Sequence, residues 1–141
     1  MSDQVYCKWV AHAGLNSAPV VERLIDDDSG INVWLRLRGV SRLLRVRFES
    51  VVAYRNINES YRLSTWSAMD GHGWGGNCIT VENSRWIDWL REEAGGVLDS
   101  VALMHYCIFT DEDCIDVVTE FEPDVQWVDG LGSRDSSQES G

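Results

Sequence analysis

Apolar and polar positions alternate with period two along most of the chain, and the alternation predicts a protein built mainly of strands. Val5, Cys7, Trp9 and Ala11 alternate with Tyr6, Lys8 and Val10, which predicts a first strand ended by Gly14. Asn16 or Ser17 would cap a helix over Val20–Ile25 with Pro19 in its first turn; the Asp26–Gly30 turn and the strong strand after it favour a strand there instead. Ile31, Val33, Leu35 and Leu37 face one way and Asn32, Trp34, Arg36 and Arg38 the other, a clear strand. Gly39–Arg42 turns the chain into a second strand, where Leu44, Val46 and Phe48 alternate with Arg45, Arg47 and Glu49. Val51–Tyr54 extends or follows it, Asn56–Ser60 reads as a polar turn, and Tyr61–Trp66 as another short strand.

Ser67–Asn77 holds four glycines and reads as a surface loop. Cys78–Val81 returns as a strand. Asn83 or Ser84 then caps the one well-marked helix, from Arg85 to about Ala94, with Ile87, Leu90 and Trp86 as its apolar stripe and Gly95-Gly96 as its stop. From Val101 to Phe109 both alternating sets are mostly apolar, the pattern of a strand covered on both faces. After a turn at Thr110–Asp113, Ile115, Val117, Thr119 and Phe121 point one way and Asp116, Val118, Glu120 and Glu122 the other. Pro123 breaks this strand, and Val125–Val128 is a short edge strand. The expected architecture is α+β: one twisted antiparallel sheet of about six to eight strands with one main helix. Residues 1–129 form the single domain and 130–141 a disordered Gly/Ser-rich tail.

Composition changes this picture mainly through charge. Twenty-three acidic against twelve basic residues give a formal charge of −11, which disfavours nucleic acid and anionic membrane as partners and favours a basic protein. The charge is uneven. Residues 31–55 hold six arginines and one acid, and Arg36, Arg38, Arg45 and Arg47 share one face of the hairpin. Such a face would bind phosphate or RNA, or be neutralised from a neighbouring strand; neutralisation is favoured, with Asp116, Glu120 and Glu122 as the expected counter-charges. Between Asp99 and Asp129 stand nine carboxylates and no lysine or arginine. No basic segment followed by a long apolar run opens the chain and no stretch is long enough to span a bilayer, so a cytoplasmic location with four free thiols is expected.

No motif completes a catalytic set. Asp111, Asp113 and Glu122 match three positions of a calcium loop, but Asp116 stands where its glycine must be and Ile115 where a ligand must be. His12, His72 and His105 lie far apart and no cysteine pair has zinc spacing, so a metal site would have to be assembled by the fold. The Gly71–Gly76 run lacks the Lys-Ser/Thr of a phosphate loop and serves instead to present Trp74, or to fold it back on the sheet. His105 on an apolar strand reads as a satisfied core residue; an enzymatic or ligand site near His105, Tyr106 and Cys107 is the alternative. No catalytic residue, cofactor or metal ligand is assigned. The predicted partner-binding residues are Asp111, Glu112, Asp113, Glu120, Glu122, Asp124 and Trp74, because clustered charge of one sign speeds association and tryptophan anchors interfaces.

Three stretches carry a resemblance. They are Phe48–Arg55 with Asn58-Glu59; Val81–Leu90; and His105–Thr110 followed by Cys114–Val118 and Glu122-Pro123. Together, over roughly residues 43–128, they resemble small acidic bacterial proteins of the toxin-immunity type. The resemblance implies a cytoplasmic protein that binds a cognate protein toxin of basic surface and occludes its active surface, with no enzymatic activity of its own. A nucleic-acid mimic, its carboxylates replacing phosphates, is a further alternative.

Overall fold

The computed structural model describes residues 4–9, 19–69 and 78–130. The continuation of the first strand to Ala11, the Asn16/Ser17 cap, the glycine loop with Trp74, and the tail from residue 131 lie outside the described residues. Except at Tyr61–Trp66, the runs expected to be strands are strands: β1 (Val5–Lys8), β2 (Val20–Asp27), β3 (Gly30–Arg36), β4 (Leu43–Phe48), β5 (Val51–Asn58), β6 (Cys78–Glu82), β7 (Met104–Phe109), β8 (Asp113–Thr119) and β9 (Asp124–Val128). Two helices are described, α1 (Leu63–Met69) and α2 (Arg85–Glu93). The class is α+β.

The strands form two antiparallel sheets rather than the single sheet expected. One has the order β1-β6-β7-β8-β5, the other β2-β3-β4-β9. Alternation reveals which side of a strand is apolar; it does not reveal whether that side meets a helix or a second sheet. Here Ile31, Val33 and Leu35 of β3 and Leu44, Val46 and Phe48 of β4 pack onto Tyr106, Ile108, Ile115 and Val117 of the five-stranded sheet. The ring of Phe48 lies 5.8 Å from that of Tyr106. Fully burying each such side chain is worth about 1.5–3 kcal/mol, so this interior is the main source of stability.

The opposite face of the five-stranded sheet is also covered. Ile79, Val81, Cys107, Phe109 and Cys114 pack with Met69 of α1, and Trp66 meets Phe109 edge-on at 5.2 Å. β7 and β8 are therefore central strands with both faces buried, as the doubly apolar run at Val101–Phe109 predicts.

The β2–β3 turn depends on Gly30. Its φ is +109°, and a Cβ there would stand 2.1 Å from the Phe48 carbonyl oxygen, so no side chain fits. Three local expectations change. Asn56–Asn58 continues β5 instead of turning, because these residues pair with Ile115, Cys114 and Asp113 of β8. Glu59–Tyr61 is a 3-10 turn, and the expected strand at Tyr61–Trp66 is the start of α1. Trp66 Nε1 donates to the Glu59 carbonyl at 2.9 Å and its ring packs on Phe109, tertiary and medium-range contacts that override an ambiguous local preference.

Three of the four arginines expected on one face are paired, but not with the expected residues, and Arg38 lies exposed in the β3–β4 turn beyond the strand. The neighbour of β4 is β9, not β8. Arg45 meets Asp124 at 3.5 Å and Gln126 at 3.2 Å, Arg36 meets Glu22 at 2.9 Å, and Arg47 meets Glu49 at 2.9 Å.

Candidate functional site

The antiparallel register places Asp116 of β8 opposite Cys107 of β7 on one side and Arg55 of β5 on the other. His105 stands two residues from Cys107 on the same face. This row lies beneath the helices. Asp116, expected to share a strand face with Glu120 and Glu122 and to oppose the arginine face of the hairpin, is instead 0% exposed beneath the helices. An outward Asp116 would leave the helix-covered face without the anion that its arginines require.

The carboxylate is fully engaged. Oδ1 accepts from His105 Nε2 at 2.8 Å and from the Cys107 thiol at 3.1 Å. Oδ2 accepts from Arg62 Nη1 at 2.7 Å and from Arg55 Nε at 3.2 Å. Arg62 comes from the junction between the 3-10 turn and α1, where its Nε also donates to Thr65 Oγ1 at 3.1 Å. His105 Nδ1 lies 2.8 Å from Ser84 Oγ, which accepts from the Ile87 backbone N–H at 3.1 Å and so caps α2. Trp86 packs its edge on the His105 ring at 5.4 Å, and the Arg55 guanidinium lies over the Trp86 ring at 4.3 Å.

Burial alone would raise the Asp116 pKa. The His105 hydrogen bond and the charges of Arg62 and Arg55 outweigh it and hold the carboxyl well below the usual range. Cys107 moves the opposite way: burial first, then the adjacent Asp116 carboxylate, push its thiol far above its ordinary value. Burial likewise pushes Cys78 up to about 12 and Cys114 up to about 11. All four cysteines are free, and these three are buried thiols, the unreactive form at neutral pH.

This arrangement holds charge in place. Burial and the Asp116 carboxylate favour the thiol form of Cys107, and Ser84 Oγ serves as a helix cap. A cavity of about 390 Å³ opens nearby, lined by Gln4, Tyr6, Ser64, Thr65, Ala68 and Arg85. Thr65 connects it to Arg62, but His105, Cys107 and Asp116 do not line it.

The predicted binding residues divide into two groups. Asp111, Glu112 and Asp113 form the β7–β8 turn, closed by Thr110 Oγ1 accepting from the Asp113 N–H at 2.8 Å. Glu120 and Glu122 are exposed in the β8–β9 connection, and Asp124 opens β9, paired with Arg45. Residues 114–119 of β8 stand between the groups, a separation of about 20 Å. One continuous acidic patch is therefore not formed. Trp74 lies outside the described residues.

The structure adds residues that the sequence reading did not select. The Glu59 N–H donates to the Glu112 carbonyl at 3.0 Å, which brings the 3-10 turn against the acidic turn. Tyr61 is 80% exposed and Leu63 is 73% exposed on that segment. Arg55, Arg62 and Ser84 were also missed as members of the buried network. The one available signal was Asp116 itself, a lone acid inside the apolar run Cys114–Val118.

Fold and site together define an α+β protein whose titratable side chains near His105 are locked in a sealed ion cluster, with acid and apolar side chains exposed at a neighbouring turn. No family model, curated protein or solved structure matches the chain. Among the described residues no helix is long and apolar enough to cross a membrane.

Proposed function

We propose that this protein acts by binding, as a cytoplasmic immunity protein that covers the active surface of a cognate toxin with a basic face. The observation that carries this reading is the pairing of two exposed apolar side chains, Tyr61 and Leu63, with an acidic turn. Glu59 lies on the same segment, and its N–H bond to the Glu112 carbonyl sets the acidic Asp111–Asp113 turn against that segment. An apolar anchor with a charged margin is the anatomy of a specific interface, and tyrosine is enriched among residues that dominate binding energy. The −11 net charge adds long-range attraction to a basic partner. The closed network around Asp116 supports a role that needs surface complementarity rather than catalysis. Division of the acids by β8 disfavours the nucleic-acid mimic, which needs charge in a continuous row. Toxin neutralisation specifically rests on the sequence resemblance.

The test is affinity capture of the tagged protein from its own cells, with wild type and two variants compared. Expected is one stoichiometric, basic, enzymatically active partner that one equivalent of wild type inhibits. Tyr61→Ala with Leu63→Ala should weaken the complex about 30-fold or more, the scale of an interface hot spot. Asp111→Lys, Glu112→Lys and Asp113→Lys together should slow its formation. A partner whose activity is untouched by the complex would overturn neutralisation. A partner held equally well by both variants would overturn the assignment of this surface.

A further inference from the structure

On the helix-covered face, an imidazole nitrogen, a thiol sulfur and a carboxylate oxygen lie within 4.8 Å of one another. His105 Nε2 and Asp116 Oδ1 are 2.8 Å apart, Cys107 Sγ and Asp116 Oδ1 3.1 Å, and Cys107 Sγ and His105 Nε2 3.5 Å. Tetrahedral zinc holds nitrogen and oxygen at about 2.0–2.2 Å and sulfur at about 2.3 Å, which puts neighbouring donors roughly 3.3–3.6 Å apart. The triangle needs to open by about half an ångström at its His–Asp edge, and less elsewhere, to accept such an ion.

We infer that His105, Cys107 and Asp116 form a three-ligand site for a zinc-class divalent ion, with Nε2, Sγ and Oδ1 as the donors. A mixed N, S and O set suits zinc or cobalt and not calcium or magnesium, which take oxygen donors. The donors are already oriented by their second contacts. Ser84 Oγ holds the other nitrogen of His105, while Arg55 and Arg62 hold the other oxygen of Asp116. On loading, the thiol proton leaves Sγ for solvent and the ring proton moves from Nε2 to Nδ1, where Ser84 Oγ accepts it. The two guanidinium groups repel a dication, so binding is weaker than at an all-Cys/His structural site. Entry requires opening beneath α1, a helix of only seven residues. The site is separate from the docking surface and does not depend on the proposed function.

The test uses the full, reduced, metal-free chain. Titration with cobalt should give a thiolate-to-metal charge-transfer band at one ion per chain, displaced by zinc. Zinc should also raise the thermal midpoint, and a chelator should reverse the rise. Cys107→Ser should remove the band, while Cys7→Ser and Cys114→Ser should keep it. Should Cys107→Ser fail to fold, X-ray absorption of zinc-loaded wild type decides: one sulfur at about 2.3 Å among nitrogen and oxygen donors is expected. No band from folded wild type, a band that survives Cys107→Ser, or a zinc shell with no sulfur or with several would each overturn the site.

Discussion

Asp116 carries more of this molecule's organisation than any other side chain. Taking a carboxylate and a guanidinium out of water costs several kcal/mol per ion, and only close pairing with filled hydrogen-bond positions offsets it. Four donors meet that condition here. Asp116→Asn leaves Arg62 buried without its anion, so unfolding in urea should show a loss of about 3–5 kcal/mol. The same residue sets an acid dependence. Its folded pKa lies below its unfolded value, so the unfolded chain takes up the proton first as pH falls. The stabilisation is complete above roughly pH 5 and is lost as pH drops through the ordinary aspartate range near 4 toward the folded pKa. Urea midpoints at successive pH values should show this slope in wild type and a weaker one in Asp116→Asn. The two arginines should also differ. Arg62 is 9% exposed and Arg55 37%, so Arg62→Met should destabilise by more than Arg55→Met. Equal losses would mean that burial does not set the strength of these pairs.

Helix α2 and strand β7 are joined through one hydroxyl. Ser84 ends the turn from β6, where Asn83 has φ +57°, and its Oγ serves both the Ile87 N–H and His105. Gly95, with φ +62°, follows the Ala94 C-cap and ends the helix as the sequence predicts. Ser84→Ala removes a cap worth about 1 kcal/mol and leaves a buried imidazole nitrogen unpaired at a further cost of about 1–3 kcal/mol. A combined loss of about 2–4 kcal/mol is expected in chemical denaturation, with Ser84→Thr restoring much of it. A loss of only a few tenths would show that water replaces the hydroxyl freely.

For the whole molecule, the relevant quantity is where the charge sits. The four-stranded sheet pairs Arg36, Arg45 and Arg47 with Glu22, Glu49 and Asp124, while exposed acid stands at the β7–β8 turn and in the β8–β9 connection as well as at the β2–β3 turn. The first two of these acidic ends are about 20 Å apart, beyond the screening length of about 8 Å at physiological salt. They therefore act separately. Reversing Asp111, Glu112 and Asp113 should slow association with the proposed basic partner about tenfold or more at low salt and change folding stability by no more than about 0.5 kcal/mol. Reversing Glu120 and Glu122 should leave the rate nearly unchanged. Stopped-flow measurement at two salt concentrations checks both, and equal slowing by the two sets would place the contact elsewhere.

Sequence alone determined the features that depend on near neighbours. Alternation over Ile31–Leu37 and Leu44–Phe48 identified a hairpin and its apolar face, because side chains two apart on a strand share a side. The doubly apolar run before Phe109 marked a central strand, and the Asn83-Ser84 pair with Gly95-Gly96 marked both ends of α2, because caps are local chemistry. Tertiary structure decided the rest. Whether the hairpin joined one sheet or faced another depends on what its apolar side meets, and no local pattern specifies that. Asp116 finds Arg62 and Arg55 across 54 and 61 residues of chain, so its inward side is set by strand register and by the helix that delivers Arg62. The acidic run was continuous in sequence and divided in space, because an extended strand of seven residues carries its two ends far apart.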